Sequence, residues 1–332
     1  MEQNALESSR SNGRIWITWE TQRRNKNLAK AFNARFIQFD YAASRIMRYL
    51  VLPFKTISAF RNTNPQIIFS QNPSLVLAFI AILYRKLKDV KIIVDAHNAG
   101  IRPLNGENRA LNALANYIVR HADITIVTND NLAAIVKDKG GRPFVLPDRI
   151  PEFEGCPPGK LDLRGNFNVF FICTFSDDEP FLEVIGAGKL LEKDTMIYIS
   201  GNPKSHIEKI KAEIPDNVVP MGYLPEEEYL RMISSCDLIL DLTTREDCLV
   251  CGAYEALGMG KPMLLSDTAV NRAYFRKGVL YTDNSSRDIA EKIQVAMRSI
   301  GEMTEAVKEL KDELMDGWER NRAALEDRLE RL

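Results

Sequence analysis

Short apolar runs alternate with helical patterns along almost the whole chain of 332 residues. Ile15-Trp16-Ile17-Thr18-Trp19 and the run 36–39 read as strands, as do Ile67-Ile68-Phe69, Ile92-Ile93-Val94 and Ile124-Thr125-Ile126-Val127. Helices are expected at 25–33, 44–61, 74–88, 107–121 and 129–139. Strands rich in β-branched residues, with little polar alternation, are buried on both faces. The βαβα order therefore predicts a parallel sheet covered by helices. The pattern stops at 147–165, where Pro147, Pro151, Pro157 and Pro158 mix with Gly155, Gly159 and Gly165, as in an interdomain linker. It resumes with strands at 169–173, 196–200, 238–242 and 262–265 and helices at 180–191, 205–214, 225–234, 252–259 and 286–300. Ser176-x-x-Glu179 before Pro180 has the form of a capping box with Pro in the first turn. Residues 302–332 are helical and charged, one or two helices that pack back. The prediction is an α/β protein with Rossmann-like domains at 1–150 and 151–302, a C-terminal helical segment at 303–332, and parallel sheets facing across a cleft. Ligands in such sheets meet the carboxyl ends of the strands.

Composition narrows the class. With 45% hydrophobic and 27% charged residues the chain is an ordinary globular one. Residues 1–12 lack the apolar core of a secretory signal. The longest apolar run, 75–83, falls short of the roughly 20 residues that span a bilayer and reads as a buried helix. Five scattered cysteines, an odd number, fit a reducing cytoplasm. Cys248-x-x-Cys251 has no second pair, and His97 and His206 are distant in sequence, so no metal is expected. The formal net charge of −1 argues against a nucleic-acid partner. That balance hides an asymmetry. Residues 1–150 hold 22 Lys+Arg against 11 Asp+Glu, a net of +11, and residues 151–332 hold 22 against 34, a net of −12. The N-terminal half alone is suited to an anionic partner.

The chain has no G-x-G-x-x-G and no G-x-x-x-x-G-K-[ST], which argues against nicotinamide dehydrogenases and P-loop enzymes. Asp95-Ala96-His97-Asn98 follows the fourth strand. A His there can bond a substrate hydroxyl or act as a base, or be satisfied by nearby backbone. The densest signal follows the strand at 238–242. Cys251-Gly252-Ala253 opens a helix whose exposed N–H groups would bind an anion. Asp247 precedes that turn and Glu255 lies within the helix, placed to accept sugar or ribose hydroxyls. A helix cap with one exposed Glu is the plainer alternative.

These residues resemble family 4 (group 1) glycosyltransferases of the GT-B fold, whose pattern is E-x-F-G-x-x-x-x-E-A-x-A-x-G-x-P. Asp247 takes the first acidic position and Glu255 the second; Gly252, Ala256, Gly260 and Pro262 also fit, the first of these two places late. Gly222-Tyr223-Leu224-Pro225, Gly201-Asn202 and Asp95-Ala96-His97-Asn98 resemble other loops of the fold. The resemblance covers residues 14 to about 300 and is most specific over 236–267. It implies a retaining, metal-independent hexosyltransferase with no cofactor, its UDP- or GDP-sugar being a substrate. By carry-over Glu255 binds the ribose and Asp247 the donor sugar, Tyr223 and Leu224 lie by the base, and His97 contacts the transferred sugar. Asn202, Cys251, Gly252 and Ala253 complete the donor side, with Arg23, Arg24 and Asn98 as acceptor contacts. Two departures stand out. The loop 173–179 lacks the family's Arg and Lys, leaving Arg245 and Lys204 as candidates for the diphosphate and Asp177 and Asp178 facing away or capping. Asp also replaces Glu at 247. UDP-GlcNAc 2-epimerases share the fold, and a degenerate, non-catalytic binding subunit is a further alternative.

The segment 45–61 is apolar, carries Arg45, Arg48, Lys55 and Arg61 and has no acid, although Pro53 interrupts it. Such a helix can lie on an anionic membrane, or pack against the core with its basic residues facing water. The expectation is a cytoplasmic protein, peripheral at the inner membrane face, acting on a glycan or lipid-linked acceptor in exopolysaccharide synthesis.

Overall fold

The computed structural model describes residues 13–39, 45–72, 74–153, 159–203 and 214–332. The chain divides into two compact units, Met1–Arg149 with Trp318–Leu332, and Ile150–Gly317. The helix expected at 205–214, apart from its last residue, and Lys204 lie outside the described residues, as do Cys156 and the side chain of Arg23.

In the first unit β1 (Arg14–Thr18), α1 (Arg23–Ala31), β2 (Arg35–Gln38), α2 (Arg45–Thr63), β3 (Ile67–Asn72), α3 (Leu75–Arg85) and β4 (Lys91–Ala96) follow in turn. Then come α4 (Asn98–Ile101), a 3-10 turn at Pro103–Gly106, α5 (Arg109–His121), β5 (Ile124–Val127), α6 (Asp130–Asp138) and β6 (Pro143–Val145). The six strands form a parallel sheet in the order β2-β1-β3-β4-β5-β6. Alternate residues feed opposite faces: Ile15 and Ile17 join one buried cluster and Trp16 the other. Both faces are apolar because helices cover both.

The second unit runs β7 (Phe167–Phe171), α7 (Phe181–Gly188), β8 (Thr195–Ser200), β9 (Val218–Gly222), α8 (Glu226–Ser235), β10 (Leu238–Asp241) and α9 (Cys251–Gly258). β11 (Met263–Ser266), α10 (Ala269–Tyr274), β12 (Val279–Thr282) and α11 (Ser286–Glu330) complete it. Its parallel sheet has the order β12-β11-β10-β7-β8-β9. Val169 and Phe171 face one cluster and Phe170 the other.

The pattern of apolar runs leaves out β6, β9 and β12. All three lie at sheet edges, where strands are short and Pro143 and Pro220 are tolerated. Two expected interruptions do not occur. α11 is one helix of 45 residues that passes through Gly301, beside which there is open space. Its Val307 and Leu310 pack in the second unit, and its Trp318, Leu325 and Leu329 against Trp16 and Phe69 in the first. α2 also continues through Pro53. Proline removes one bond of the helix ladder. The buried stripe Leu52, Thr56 and Phe60 holds the helix on the sheet regardless.

Candidate functional site

In each sheet the strand order reverses beside the first strand of the unit, between β1 and β3 and between β7 and β10. Crevices of open α/β sheets form at such points.

In the second unit the loops after β7 and β10 are stapled together. Thr243 Oγ1 donates to Asp178 Oδ2 at 3.0 Å, Thr244 N to the Asp178 carbonyl at 2.8 Å, and Arg245 Nε lies 3.0 Å from Asp178 Oδ2. Burial opposes the charge on Asp178, but hydrogen bonds from Ser176 and Thr243 and the Arg245 cation hold its pKa below the usual carboxylate value. Asp178 thus neither faces away nor caps a helix, and Arg245, expected to meet a diphosphate, is engaged by it. Ser176 and Glu179 form half of the anticipated capping box. Ser176 N donates to Glu179 Oε2 at 2.8 Å, but the helix begins later, at Phe181. Glu179 Oε2 also accepts from Thr174 N at 2.8 Å. The carboxylate ties down a loop in which Phe175 has φ +59°, a strained conformation for a residue with a side chain. The loop after β8 presses on the same backbone. Gly201 has φ +90°, and a Cβ there would lie 2.3 Å from the Cys173 carbonyl oxygen, so only glycine fits. Asn202 follows it and is exposed.

The start of α9 corrects the expectation of open N–H groups at Cys251-Gly252-Ala253. The N–H groups of Gly252 and Ala253 donate to the carboxyl group of Asp241, the last residue of β10. A Cβ on Gly252 would lie 2.6 Å from Asp241 Oδ2, so the glycine makes this approach possible. Asp241 is 7% exposed. Burial raises its pKa well above the usual value, the two N–H groups pull it down, and nearby Glu179 and Glu255 push it up again. Glu255, one turn into α9, is half-buried and accepts a hydrogen bond from the Tyr229 hydroxyl of α8. Tyr229 is itself set edge-on against Phe170, with ring centroids 5.8 Å apart. Asp247 is half-buried, Cys251 is exposed, Leu224 packs on the core and Tyr223 is 81% exposed.

In the first unit the expected acceptor contact Arg24 has a different occupation. Its side chain is buried, with Nη2 at 2.8 Å from Asp95 Oδ1, Nη1 at 2.6 Å from Asp148 Oδ1, and a third bond to the Leu146 carbonyl at 3.0 Å. Burial disfavours charge on both Arg24 and Asp95, yet their attraction prevails and keeps each ionised. His97 sits just before α4, its Nε2 3.9 Å from Asp95 Oδ2, and Asn98 is half-buried. Next to them, Gln71 Oε1 accepts from Thr18 Oγ1 at the β1–β3 reversal. Gln71 Nε2 and Asn72 Oδ1 are buried without a hydrogen-bond partner among the described residues.

Several of these residues went unnoticed in the sequence. Asp241, Tyr229, Gln71 and Asn72 drew no role, although polar residues closing an apolar strand, as in Ser70-Gln71-Asn72 and Leu238-Ile239-Leu240-Asp241, are a usable signal. No group of three metal-binding side chains occurs among the described residues.

No protein-family model matches the chain, and no curated protein matches it in sequence. Solved structures do resemble it. Sucrose-phosphate synthase from Thermosynechococcus elongatus aligns with a TM-score of 0.75 at 13% identity, covering 98% of this chain and 96% of its own. HepE of Anabaena, in complex with UDP-glucose, aligns with a TM-score of 0.74 at 12% identity, covering 96% and 99%. A Listeria monocytogenes chain assigned as a UDP-N-acetylglucosamine 2-epimerase is more distant, with a TM-score of 0.55 at 14% identity, covering 85% and 80%. At these identities the likeness is one of fold. The architecture is GT-B, with two Rossmann-like domains and a C-terminal helix.

Proposed function

We propose that the chain is a hexosyltransferase of the family 4 kind. It moves a sugar from a UDP- or GDP-linked donor to a hydroxyl of a glycan or lipid-linked saccharide during polysaccharide synthesis. The observation that carries this is Glu255, a half-buried carboxylate held by Tyr229 one turn into α9, in a chain that resembles a UDP-glucose-bound protein over nearly its full length. In the reaction the bond between the anomeric carbon and the diphosphate oxygen breaks and one to the acceptor oxygen forms. The acceptor's proton is lost and a nucleoside diphosphate leaves. The sugar keeps its anomeric configuration, and the transfer uses no metal or cofactor. Glu255 receives the ribose hydroxyls, Asp247 the donor sugar, and His97 the transferred sugar. The activity is cytoplasmic.

Calorimetric titration with UDP, GDP and their sugar derivatives tests the proposal, and saturable binding of one nucleotide series is the expected result. Glu255→Ala should weaken it roughly tenfold to a hundredfold, the worth of hydrogen bonds to a charged group. Tyr229→Phe, which removes one hydrogen bond to the Glu255 carboxylate, should change affinity less. Wild-type affinity in Glu255→Ala would remove that residue from the site.

One observation favours a second function, that of a non-catalytic binding subunit. Asp241 holds the first N–H groups of α9, Glu179 those of the loop after β7, and Asp178 engages Arg245. Carboxylates of the chain thus occupy groups that would otherwise stabilise a departing diphosphate. Slow donor hydrolysis without an acceptor separates the two, since only the transferase releases free sugar. Conversion of UDP-GlcNAc to its 2-epimer without an acceptor would instead indicate an epimerase.

A further inference from the structure

α2 buries Leu52, Thr56 and Phe60 on the sheet and turns another stripe to solvent. Leu50 is 57% and Phe54 76% exposed, with Met47 one turn before them at 44%. The spacing of three and four residues puts all three on one face. Ser58 and Arg61 continue that face toward the end of the helix, and Lys55 and Asn62 flank it, all exposed. Beside this polar half a groove of about 360 Å³ opens between α2 and β2, with Arg35 and Lys55 on its walls and Ser58 and Asn62 supplying further hydrogen-bonding groups. α2 contains no Asp or Glu. The apolar half and the cationic half are therefore continuous along one helix. Arg48 does not contribute: it turns inward and donates to the Trp19 carbonyl at 2.7 Å.

We propose that this face of α2 docks on an anionic lipid bilayer, with Leu50 and Phe54 entering the acyl boundary and the Arg35–Lys55 groove receiving a lipid phosphate. Two opposite requirements select a membrane. Large apolar side chains this exposed need an apolar environment, and the cations next to them need an anionic one, which is the layering of a leaflet surface. A second copy of the chain meets only the first requirement. A two-fold contact through this face would set Lys55, Arg61 and Arg35 against their own copies, within a half of the sequence that carries a net of +11. The helix lies on the surface; no helix among the described residues is long and apolar enough to cross a membrane. The proposal is independent of sugar transfer, because it uses no residue of the donor site.

The full chain, without nucleotide, is to be floated with phosphatidylcholine vesicles with and without phosphatidylglycerol. Binding is expected only to the anionic vesicles, and added salt should release it as screening shortens. Lys55→Ala and Arg61→Ala should each weaken binding about fivefold, the worth of one cation near an anionic surface. Leu50→Glu with Phe54→Glu should abolish it. These side chains are exposed, so folding survives the changes, and an unaltered circular dichroism spectrum checks this. Retention of UDP binding by the double variant, should the wild type show it, keeps the two proposals separable. Failure to bind anionic vesicles, equal binding to neutral ones, or unchanged binding by the double variant overturns the proposal. So does a dimer in solution that Phe54→Glu dissociates. Binding of free phosphate without vesicle binding would show an anion groove and no membrane face, and would overturn it as well.

Discussion

Arg24→Met should destabilise the protein by about 3–5 kcal/mol near neutral pH, the cost of leaving a buried carboxylate without its cation. Arg24 has 6% and Asp95 1% of the side chain exposed, so water cannot replace the lost partner. Asp148, with 22% exposed, is solvated more readily and adds less. The sign of the pH dependence follows from Asp95. In the wild type the Arg24 cation holds the folded-state pKa of Asp95 below its unfolded value, so this pairing contributes stability above the unfolded value, near pH 4, and loses it as the pH falls further. In the variant burial prevails, opposed only by nearby His97, and raises that pKa, so stability is lost as the pH rises. The gap between the two proteins should be widest near neutral pH and shrink below about pH 4. Thermal unfolding at both pH values measures it. Arg24→Met with Asp95→Asn, which removes both charges, should recover part of the loss. An Arg24→Met protein that melts with the wild type at neutral pH would show that the pair adds little. The fork of Arg24 also ties α1 to the end of β4, two residues before His97, so the same variant should loosen the His97 loop.

The two sheets were legible because burial on both faces writes itself into composition. Ile15-Trp16-Ile17 and Ile67-Ile68-Phe69 are continuous apolar runs, and such runs in alternation with helices have few other solutions. Three of the four edges, β6, β9 and β12, escaped for the same reason. β9 contains Pro220 and β12 is only half-buried over Val279–Tyr281, so neither carries the signature of a central strand. Helix ends escaped because local rules give preferences that packing overrides. Gly301 and Pro53 are poor helix residues, yet α11 and α2 run through them, held by buried residues on either side. Ser176-x-x-Glu179 formed its hydrogen bond without its helix, because Glu179 also serves Thr174.

The site divides along a similar line. Glu255 and Asp247 stand out in the sequence only because the turn of small residues between them resembles the family 4 pattern; their spacing alone fits a capped helix equally well. Their partners were not legible, since Tyr229 lies on another helix and meets Glu255 only through the fold. The roles of charged groups were the least legible of all. Arg24 and Arg245 looked available to anions because each stands in a polar stretch after a strand. Their carboxylates, Asp95 and Asp178, are 71 and 67 residues away in sequence. A charge can be assigned to a ligand only after its intramolecular partners are known. Here the strand ends supply acids as well as bases.

Asp241 is the sharpest case. Asp241→Asn should stabilise the protein at neutral and alkaline pH while leaving it nearly unchanged in acid. The carboxyl group lies under the first turn of α9, bonded by Gly252 and Ala253 N–H, with Glu179 and Glu255 close enough to disfavour a further negative charge. Its folded-state pKa is raised, so the neutral acid is the form the fold favours. Relative stability from this group is therefore fully present below the unfolded pKa, near 4, and declines as the pH rises through the folded value. The decline amounts to about 1.4 kcal/mol for every pH unit by which the folded pKa exceeds the unfolded one. Asparagine has the same shape, keeps one oxygen to accept from the α9 N–H groups and never ionises. The variant's melting temperature should hence exceed that of the wild type above the raised pKa and converge with it below about pH 4. Equal pH profiles for the two proteins would mean that Asp241 ionises freely where it stands. The same comparison bears on nucleotide binding. If the α9 N–H groups turn to a donor phosphate, they must leave Asp241, and the ligand's charge then adds to that of Glu179 and Glu255. A protonated Asp241 lowers that cost and an ionised one raises it. Nucleotide affinity in the wild type should then fall with rising pH across the Asp241 titration, and the Asp241→Asn protein should lose that part of the dependence.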